Sequence, residues 1–519
     1  NQILRTTPRL ASPSGDALAG LLTQLGRAYM MLPTPEVDEA YAQLMRALEF
    51  YNPSNPDSAE ALLVTARVDV QRGRLEEARD RLHRLEQWFA STDWHLPALL
   101  TMAELESAAG NLDASVERYG ALVALAREGP LPRWISREEI AESLVSESAV
   151  RLSAQDHERA SLLALMALDL TGLEEAPAGV LRAIAEADLR AADALMPVER
   201  GSSEAVFALS EMDPSARAQV RRHLIRAASY LRQYADRMVL TDRSAYGRAL
   251  WDSADAYDRA GDTEEAIRAF HEYVDSFPDE ARRAEARYRL AQAHQARGEM
   301  AEAEALYREL VDARGNPAEH DVGEFGDRSV IALARTLLAD SDAANDREAE
   351  QLLVDALSGR EVGFPESERF REALLELGLL YYRSGRYPEA IARLEEAIDR
   401  YPSDPRMVQV RYRLADAMRL SAREAAALLQ TELTPTRRRE VEELRAERLR
   451  GAVEMFRRAR DELEMVPSRR RSILDEEYLR NSYYFLGSCA FDRQDYRGAI
   501  EGYDAARERY PRDPASLVA

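Results

Sequence analysis

Residues 371–402 read REALLELGLLYYRSGRYPEAIARLEEAIDRYP, and their pattern decides the fold. Apolar side chains recur at spacings of three and four, beginning with Leu374 and Leu377, which places them on one face of a helix. Gly385 suits a tight turn, because glycine accepts positive φ values without a steric clash. Pro402 lacks an amide proton and ends a second helix. The stretch therefore predicts two amphipathic helices joined by a short turn.

This pattern resembles the tetratricopeptide repeat, a helix–turn–helix unit of about 34 residues. In that family the two helices touch at small residues, which here are Gly378 and Ala390. The resemblance implies further copies, since a single pair cannot bury its apolar face alone. We expect an all-α fold, a right-handed α-solenoid of about ten stacked helix–turn–helix pairs. Similar patterns occur in residues 16–53, 66–85, 99–122, 247–278, 287–310 and 480–511.

Weaker patterning and turn-forming residues divide the chain. The sequence predicts an N-terminal arm or linker at 1–15, an N-terminal lobe at 16–200, an irregular helical junction at 201–246 and a C-terminal lobe at 247–519. The segment 137–170 still has the pattern of a helical pair. A Gly-containing loop at 314–329 and a charged helical insertion at 421–450 are expected to interrupt the C-terminal lobe.

Composition excludes several function classes. The 519 residues carry a formal net charge of −23, and an overall negative field disfavours binding to nucleic acid or anionic membrane. All 69 basic residues are arginines. A phosphate-binding Walker loop, a kinase β3 lysine and a pyridoxal Schiff base each require lysine, so none is expected. No apolar run approaches the length of a membrane-spanning helix.

Candidate catalytic and metal-binding residues do not converge. None of the seven histidines lies in an HExxH motif. His320 and Asp321 lie in the Gly-containing loop, where a solvated loop is the simpler interpretation. Asp342 and Asp346 lack the glycine and spacing of a calcium loop. The single cysteine, Cys489, is expected in the core. We therefore predict no enzyme activity, no catalytic residues, no metal site and no cofactor.

The resemblance implies where partners bind. In tetratricopeptide repeats the first helix of each pair lines a concave groove that holds a helix or an extended peptide. The alternative for the aromatic members is packing against a neighbouring repeat. The corresponding residues here are Arg248, Trp251, Asp255, Asp258, Tyr288, Gln292, Gln295, Leu375, Leu379, Tyr382, Asn481, Tyr484, Ser488 and Phe491.

A second candidate surface is basic. Residues 437–471 contain twelve arginines and eight acidic residues, a local charge of +4 (12 − 8) in an acidic chain. One interpretation is Glu–Arg pairing along exposed helix faces. The other is a docking patch for an acidic partner surface, formed by Arg437, Arg438, Arg439, Arg469, Arg470 and Arg471.

Three second helices are expected to end in an aromatic residue followed by proline, at Phe277, Tyr401 and Tyr510. This style is similar to tetratricopeptide proteins of the bacterial cell envelope, such as the barrel-assembly lipoprotein and the Tol–Pal-associated coordinator. The chaperone-binding branch of the family clamps a carboxylate with lysines, which this chain lacks.

The resemblance implies a non-enzymatic protein-interaction scaffold in a multiprotein assembly, in the periplasm or cell envelope. Its partners would be other proteins, including a membrane-associated one, and not nucleic acid. The alternatives are a cytoplasmic adaptor, or the repeat region of a larger protein whose catalytic domain lies outside these residues.

Overall fold

The computed structural model describes residues 15–34, 36–52, 56–196, 212–278, 281–314, 322–339, 342–358 and 368–514. In this part of the chain there are twenty-two α-helices, which form eleven consecutive pairs. The helices are α1 Gly15–Met30, α2 Val37–Leu48, α3 Pro56–Gln71, α4 Leu75–Phe89, α5 His95–Ala108, α6 Leu112–Glu128, α7 Arg137–Ser153, α8 His157–Thr171, α9 Ala178–Leu195, α10 Pro214–Met238, α11 Arg243–Arg259, α12 Thr263–Ser276, α13 Arg283–Ala296, α14 Met300–Asp312, α15 Gly323–Leu337, α16 Ala343–Leu357, α17 Glu368–Arg383, α18 Tyr387–Arg400, α19 Met407–Leu428, α20 Pro435–Met465, α21 Ile473–Asp492 and α22 Tyr496–Arg509.

Helices α17 and α18 are the pair predicted from residues 371–402. A Cβ atom on Gly378 would lie 2.7 Å from Leu394 Cδ2, so only glycine permits this approach of the two helices. Gly385 has a φ of +72° in the turn between them, and the helix ends at Arg400, just before Tyr401 and Pro402. Leu394 is fully buried, which stabilises the pair by about 1.5–3 kcal/mol. The prediction for this stretch is confirmed.

The chain divides into two compact units, residues 1–276 and 277–519. Within each unit, first helices pack on first helices of the next pair: α1, α3, α5, α7 and α9 in the first unit, and α13, α15, α17, α19 and α21 in the second. Each helix pair therefore buries its apolar face against its neighbours in chain order, and the all-α solenoid expected from the sequence is confirmed.

The region of weak patterning remains helical. Helices α7 and α8 form the pair expected at 137–170. Much of the stretch predicted as an irregular junction, 201–246, is the 25-residue helix α10, which packs on both α9 and α11. Residues 1–14 of the arm predicted at 1–15 lie outside the described residues, and Gly15 already begins α1. Residues 197–211, which span the predicted start of the junction, also lie outside them.

Two expected interruptions differ in the structure. The predicted loop at 314–329 is helical from Gly323 onwards, where α15 begins; His320 and Asp321 lie outside the described residues. The predicted insertion at 421–450 is not a separate element. It lengthens both members of one pair, giving α19 its 22 residues and α20 its 31 residues. The array therefore continues through both segments.

Two candidate acidic ligands have structural roles. Asp342 caps α16 by accepting a hydrogen bond from the amide of Ala344 at 2.8 Å, and Asp346 forms an ion pair with Arg383. Helix capping and ion pairing account for both carboxylates. No helix of the described segments is long and apolar enough to cross a bilayer.

Candidate docking surface on the first helices

The predicted groove residues on α11 differ in their surroundings, and the aromatic one faces the interior of its own pair. Trp251 is only 7% exposed, and its ring packs against Phe270 and Tyr273 of α12 at centroid distances of 5.9 and 5.4 Å. Asp255 lies 3.6 Å from the buried guanidinium of Arg259. Trp251 is therefore a core residue and offers little surface to a partner. Arg248 is exposed and Asp258 half-buried.

The α13 residues are half-buried and joined to one another. The Tyr288 ring lies 5.8 Å from Tyr307 and 5.8 Å from Phe325, which belongs to the next pair. Gln292 donates to the Tyr288 hydroxyl at 3.4 Å, and Gln295 accepts from Tyr307 at 3.2 Å. Tyr288 thus packs against the neighbouring repeat, the alternative that the sequence left open.

Helices α17, α19 and α21 bring two of the predicted residues into one network. The Tyr382 hydroxyl donates to Asp416 at 2.5 Å. The guanidinium of Arg413 lies 5.1 Å from the centroid of the Tyr382 ring and 5.1 Å from that of Tyr478. A guanidinium over an aromatic face is attracted by the negative potential of the ring. Arg413 therefore links the first helices of three consecutive pairs.

The α21 side of this network is a stack of rings. Tyr412 and Tyr478 lie parallel, with centroids 4.0 Å apart and an angle of 11° between their planes. Asn481 donates to the Tyr412 hydroxyl at 3.2 Å. Beneath them, Tyr412 contacts the fully buried ring of Phe456. Burial raises the pKa of the Tyr412 phenol to about 12, so its hydroxyl stays protonated at neutral pH.

The charges of this network do not cancel. Arg419 donates two hydrogen bonds to Asp416, at 2.8 and 2.6 Å, and its guanidinium also lies 4.2 Å from the Phe485 ring centroid. Asp416 is therefore neutralised by Arg419. Within the described residues, Arg413 forms no ion pair with a carboxylate. We call the set Tyr382, Arg413, Asp416, Arg419, Tyr478 and Asn481 the tyrosine–arginine surface.

The other predicted residues of α17 and α21 lie apart from this network. Leu375 is buried in the core and Leu379 is half-buried. Tyr484 is half-buried and its hydroxyl has no described hydrogen-bond partner. Ser488 is half-buried, and Phe491 is exposed beside Tyr496.

The sequence interpretation missed the residues of α19, which lie at the centre of the surface. A signal for them was present. The letters RYRLA occur at both 287–291 and 411–415, so Tyr412 corresponds to Tyr288, which was selected. Arg413 is the next residue after Tyr412, and Asp416 lies about one turn further along the same helix.

The predicted basic patch is not one surface. Its two arginine triplets lie at opposite ends of α20, about 45 Å apart for a 31-residue helix. Arg471 is only 6% exposed and donates to the carbonyls of Leu463 and Glu464 at the end of α20. Arg437 pairs with Glu440. Arg471 therefore caps a helix, and Arg438, Arg439, Arg469 and Arg470 remain exposed.

The single cysteine is a core residue, as expected. Cys489 is a free thiol with no exposed surface. Burial raises its pKa to about 12, which leaves almost no thiolate at neutral pH. It lies on α21, behind the tyrosine–arginine surface.

Comparison with known proteins supports the repeat assignment. The tetratricopeptide repeat family model matches residues 251–318 and 375–434, which supports the repeat assignment for these two segments. A model described as anaphase-promoting complex subunit 5 matches residues 218–282. No curated protein matches the sequence significantly.

Several solved structures match the chain at low similarity. The APC/C hetero-tetramer Cut9–Hcn1 is 11% identical, with a TM-score of 0.30, covering 99% of this chain and 96% of that one. Naa15/Naa10 bound to HypK-THB is 14% identical, with a TM-score of 0.33 and coverages of 99% and 91%. Yeast Tom70 is 13% identical, with a TM-score of 0.28 and coverages of 80% and 100%. Similarity this low says nothing about the partners of this chain.

Proposed function

We propose that the chain is a non-catalytic scaffold that binds partner proteins through the first helices of its repeats. The observation that carries this proposal is Arg413. Its guanidinium is held between the rings of Tyr382 and Tyr478, and the nearby Asp416 is already paired with Arg419. The site therefore presents an oriented positive charge in an acidic protein.

An acidic peptide segment complements this site. A guanidinium can donate two parallel hydrogen bonds to a carboxylate, and each hydrogen bond to a charged group contributes about 1.5–3 kcal/mol. The partly buried Arg413 has already lost part of its hydration, so pairing with a carboxylate costs less further desolvation. The partner is therefore a protein that presents Asp or Glu in an exposed segment.

A pull-down with quantitative mass spectrometry tests the proposal. Arg413→Gln should reduce recovery of direct partners about tenfold or more, and Arg413→Lys should restore only part of it, because lysine lacks the planar fork. Arg437→Ala, at an exposed position on α20, is the matched control. Cross-linked partner peptides should be acidic. Equal recovery by wild type and Arg413→Gln would contradict the proposal.

We further propose that the scaffold acts in the bacterial cell envelope. The support is the style of the repeats, whose second helices are followed by aromatic–proline pairs at Phe277, Tyr401 and Tyr510. Fractionation of cells that express the complete gene tests this location. Recovery of the protein only with cytoplasmic markers would favour the cytoplasmic adaptor, and a catalytic domain in the complete gene would favour the repeat region of an enzyme.

A further inference from the structure

The first unit contains an open cleft that the sequence interpretation did not select. It has a volume of about 420 Å³ and is lined by α1, α3, the segments that precede α5 and α7, and the first turn of α7. Leu63 and Trp94 are buried at its base. Met31 stands at its edge with 74% of its surface exposed. The volume is within the range of ligand-binding cavities, about 300–1,000 Å³.

Two of the four tryptophans of the chain meet here. Trp94 and Trp134 are stacked, with centroids 4.8 Å apart and an angle of 16° between their planes. The Arg133 guanidinium lies 3.9 Å from the Trp134 ring centroid, and that of Arg27 lies 5.8 Å away. The positions where a ligand cation would bind these rings are thus already taken by arginine, so a basic ligand would be repelled.

The carboxylates of the cleft are largely engaged. Glu60 is only 6% exposed and accepts hydrogen bonds from Gln24 at 3.1 Å and from Arg27 at 3.3 Å. Among the described residues, the other carboxylate that lines the cleft is that of Glu139, which lies 3.4 Å from Arg67. Arg27 and Arg67 line the cleft, and the exposed Arg133 lies over the Trp134 ring at its edge, so three guanidinium groups stand against these two carboxylates. The cleft therefore combines an apolar base with a cationic rim. We call Arg27, Met31, Glu60, Arg67, Trp94 and Trp134 the tryptophan cleft.

We propose that the tryptophan cleft binds a short, extended peptide segment in which an apolar side chain lies next to an acidic one. The apolar side chain fills the space above Leu63 and Trp94. The carboxylate meets the guanidinium groups of Arg67 and Arg133, where charge-assisted hydrogen bonds are the strongest available contact. The cavity holds a few residues and not a folded element. This site belongs to the first unit and does not depend on the tyrosine–arginine surface of the second.

A degenerate peptide pool tests this specificity. The probe is a set of acetylated and amidated octapeptides with two central positions fixed, one as Leu, Met or Phe and the next as Asp, Lys or Ser. The full chain is immobilised, and retained peptides are quantified by mass spectrometry. We expect the Asp subset to be retained at least tenfold more than the Lys and Ser subsets.

Two surface variants link the retained peptides to the cleft. Met31→Asp places a negative charge at the opening and Arg133→Glu reverses a charge over Trp134; both positions are exposed, so the fold is preserved. Each should reduce retention of the Asp subset at least tenfold. The matched control is Trp88→Ala, which removes a tryptophan that is 51% exposed on α4, outside the cleft.

Three results would overturn the proposal. Preferential retention of the Lys subset would overturn the proposal, and so would equal retention by wild type, Met31→Asp and Arg133→Glu. Absence of retention above an empty support would overturn it as well. Because the tyrosine–arginine surface is also proposed to bind acidic segments, the wild-type and variant clefts are compared in chains that carry Arg413→Gln, which should leave retention by this cleft unchanged. Failure here and failure of the proposed function are thereby distinguished.

Discussion

The tryptophan cleft of the first unit and the tyrosine–arginine surface of the second both involve the first helices of consecutive pairs, yet they are built differently. In the first, stacked indoles and arginines surround an open volume of about 420 Å³. In the second, the Tyr412 and Tyr478 rings and the Arg413 guanidinium contact one another directly. The difference teaches that aromatic residues near the first helices can either line an open pocket for an anchoring side chain or pack into a closed network from which one half-buried cation, Arg413, is presented.

The cause lies in where the aromatic residues occur. Trp94 is the N-cap residue of α5 and Trp134 lies three residues before α7, so both rings come from connections and project over the ends of helices. Tyr412 and Tyr478 lie inside α19 and α21, where side chains one turn apart share a face and fill the space between adjacent helices. In this chain the rings from connections leave a cavity, whereas the rings from helix interiors fill the space between adjacent helices.

Thiol reactivity should show the largest contrast between the two regions. Below pH 12 the Cys489 thiol behind the tyrosine–arginine surface holds its proton, so its alkylation at pH 8 should be roughly 1,000-fold slower than that of a free thiol. A cysteine introduced at the exposed edge of the cleft by Met31→Cys should be alkylated at the rate of a free thiol. Iodoacetamide labelling followed by peptide mapping measures both sites in one sample, and comparable rates would contradict the closed packing assigned to the second unit.

Removal of the ring beneath the tyrosine–arginine surface should cost the most stability. Phe456 is fully buried and contacts both Tyr412 and Phe485, so Phe456→Ala should destabilise the second unit by about 3–5 kcal/mol. Because the chain has two compact units, amide hydrogen exchange in α19 to α21 is the appropriate measurement. Exchange in α1 to α5 should not change. Loss of protection there would show that the two surfaces are not independent.

A single hydroxyl gives a smaller and sharper test. Tyr412→Phe removes the hydrogen bond from Asn481 and should destabilise α21 by about 1 kcal/mol. Tyr484→Phe is the matched control, because its hydroxyl is buried without a described partner; its removal should be neutral or stabilising. Each variant removes one phenolic oxygen, and only the oxygen of Tyr412 has a described hydrogen-bond partner. Equal effects on hydrogen exchange would mean that the Tyr412–Asn481 bond contributes nothing.

The smallest effect is expected at the exposed end of α20. Arg437 forms a surface ion pair with Glu440, so Arg437→Ala should change stability by less than about 0.5 kcal/mol. Arg437→Ala should also leave both binding surfaces intact. A clear loss of partner binding in this variant would indicate a third docking region, at the predicted arginine patch.

The fold could be predicted from the sequence because the spacing of the small and apolar residues determines both where helices form and where they touch. Gly378 and Gly385 predicted the close approach and the turn of α17 and α18, and both occur as expected. The sequence interpretation failed at Gly326, which lies in the segment predicted as a loop, 314–329. In the structure this glycine lies inside α15, and a Cβ atom there would lie 2.7 Å from Arg314 Cγ. Glycine occurs both where two helices approach closely and in turns, and its position in the sequence does not distinguish these two cases.

The binding surfaces were less predictable because the helical position of a residue does not specify its neighbours. Trp251 has the position of a groove residue, but its ring fills the space beside Phe270 and Tyr273. Tyr382 and Asn481 were both selected as groove residues, yet the α19 residues that contact them, Arg413 and Tyr412, lie in the pair whose register the insertion obscured. Trp94 and Trp134 come from connections, to which the repeat register assigns no role.

Side-chain hydrogen bonds between neighbouring first helices join residues about one repeat apart. Arg67 and Thr101 are 34 positions apart, Glu104 and Ser143 are 39, and Tyr382 and Asp416 are 34. Such contacts close short loops in a chain of 519 residues, which favours rapid folding. Each pair can therefore complete its packing soon after the next pair leaves the ribosome, so the tryptophan cleft should form during synthesis, well before the tyrosine–arginine surface exists.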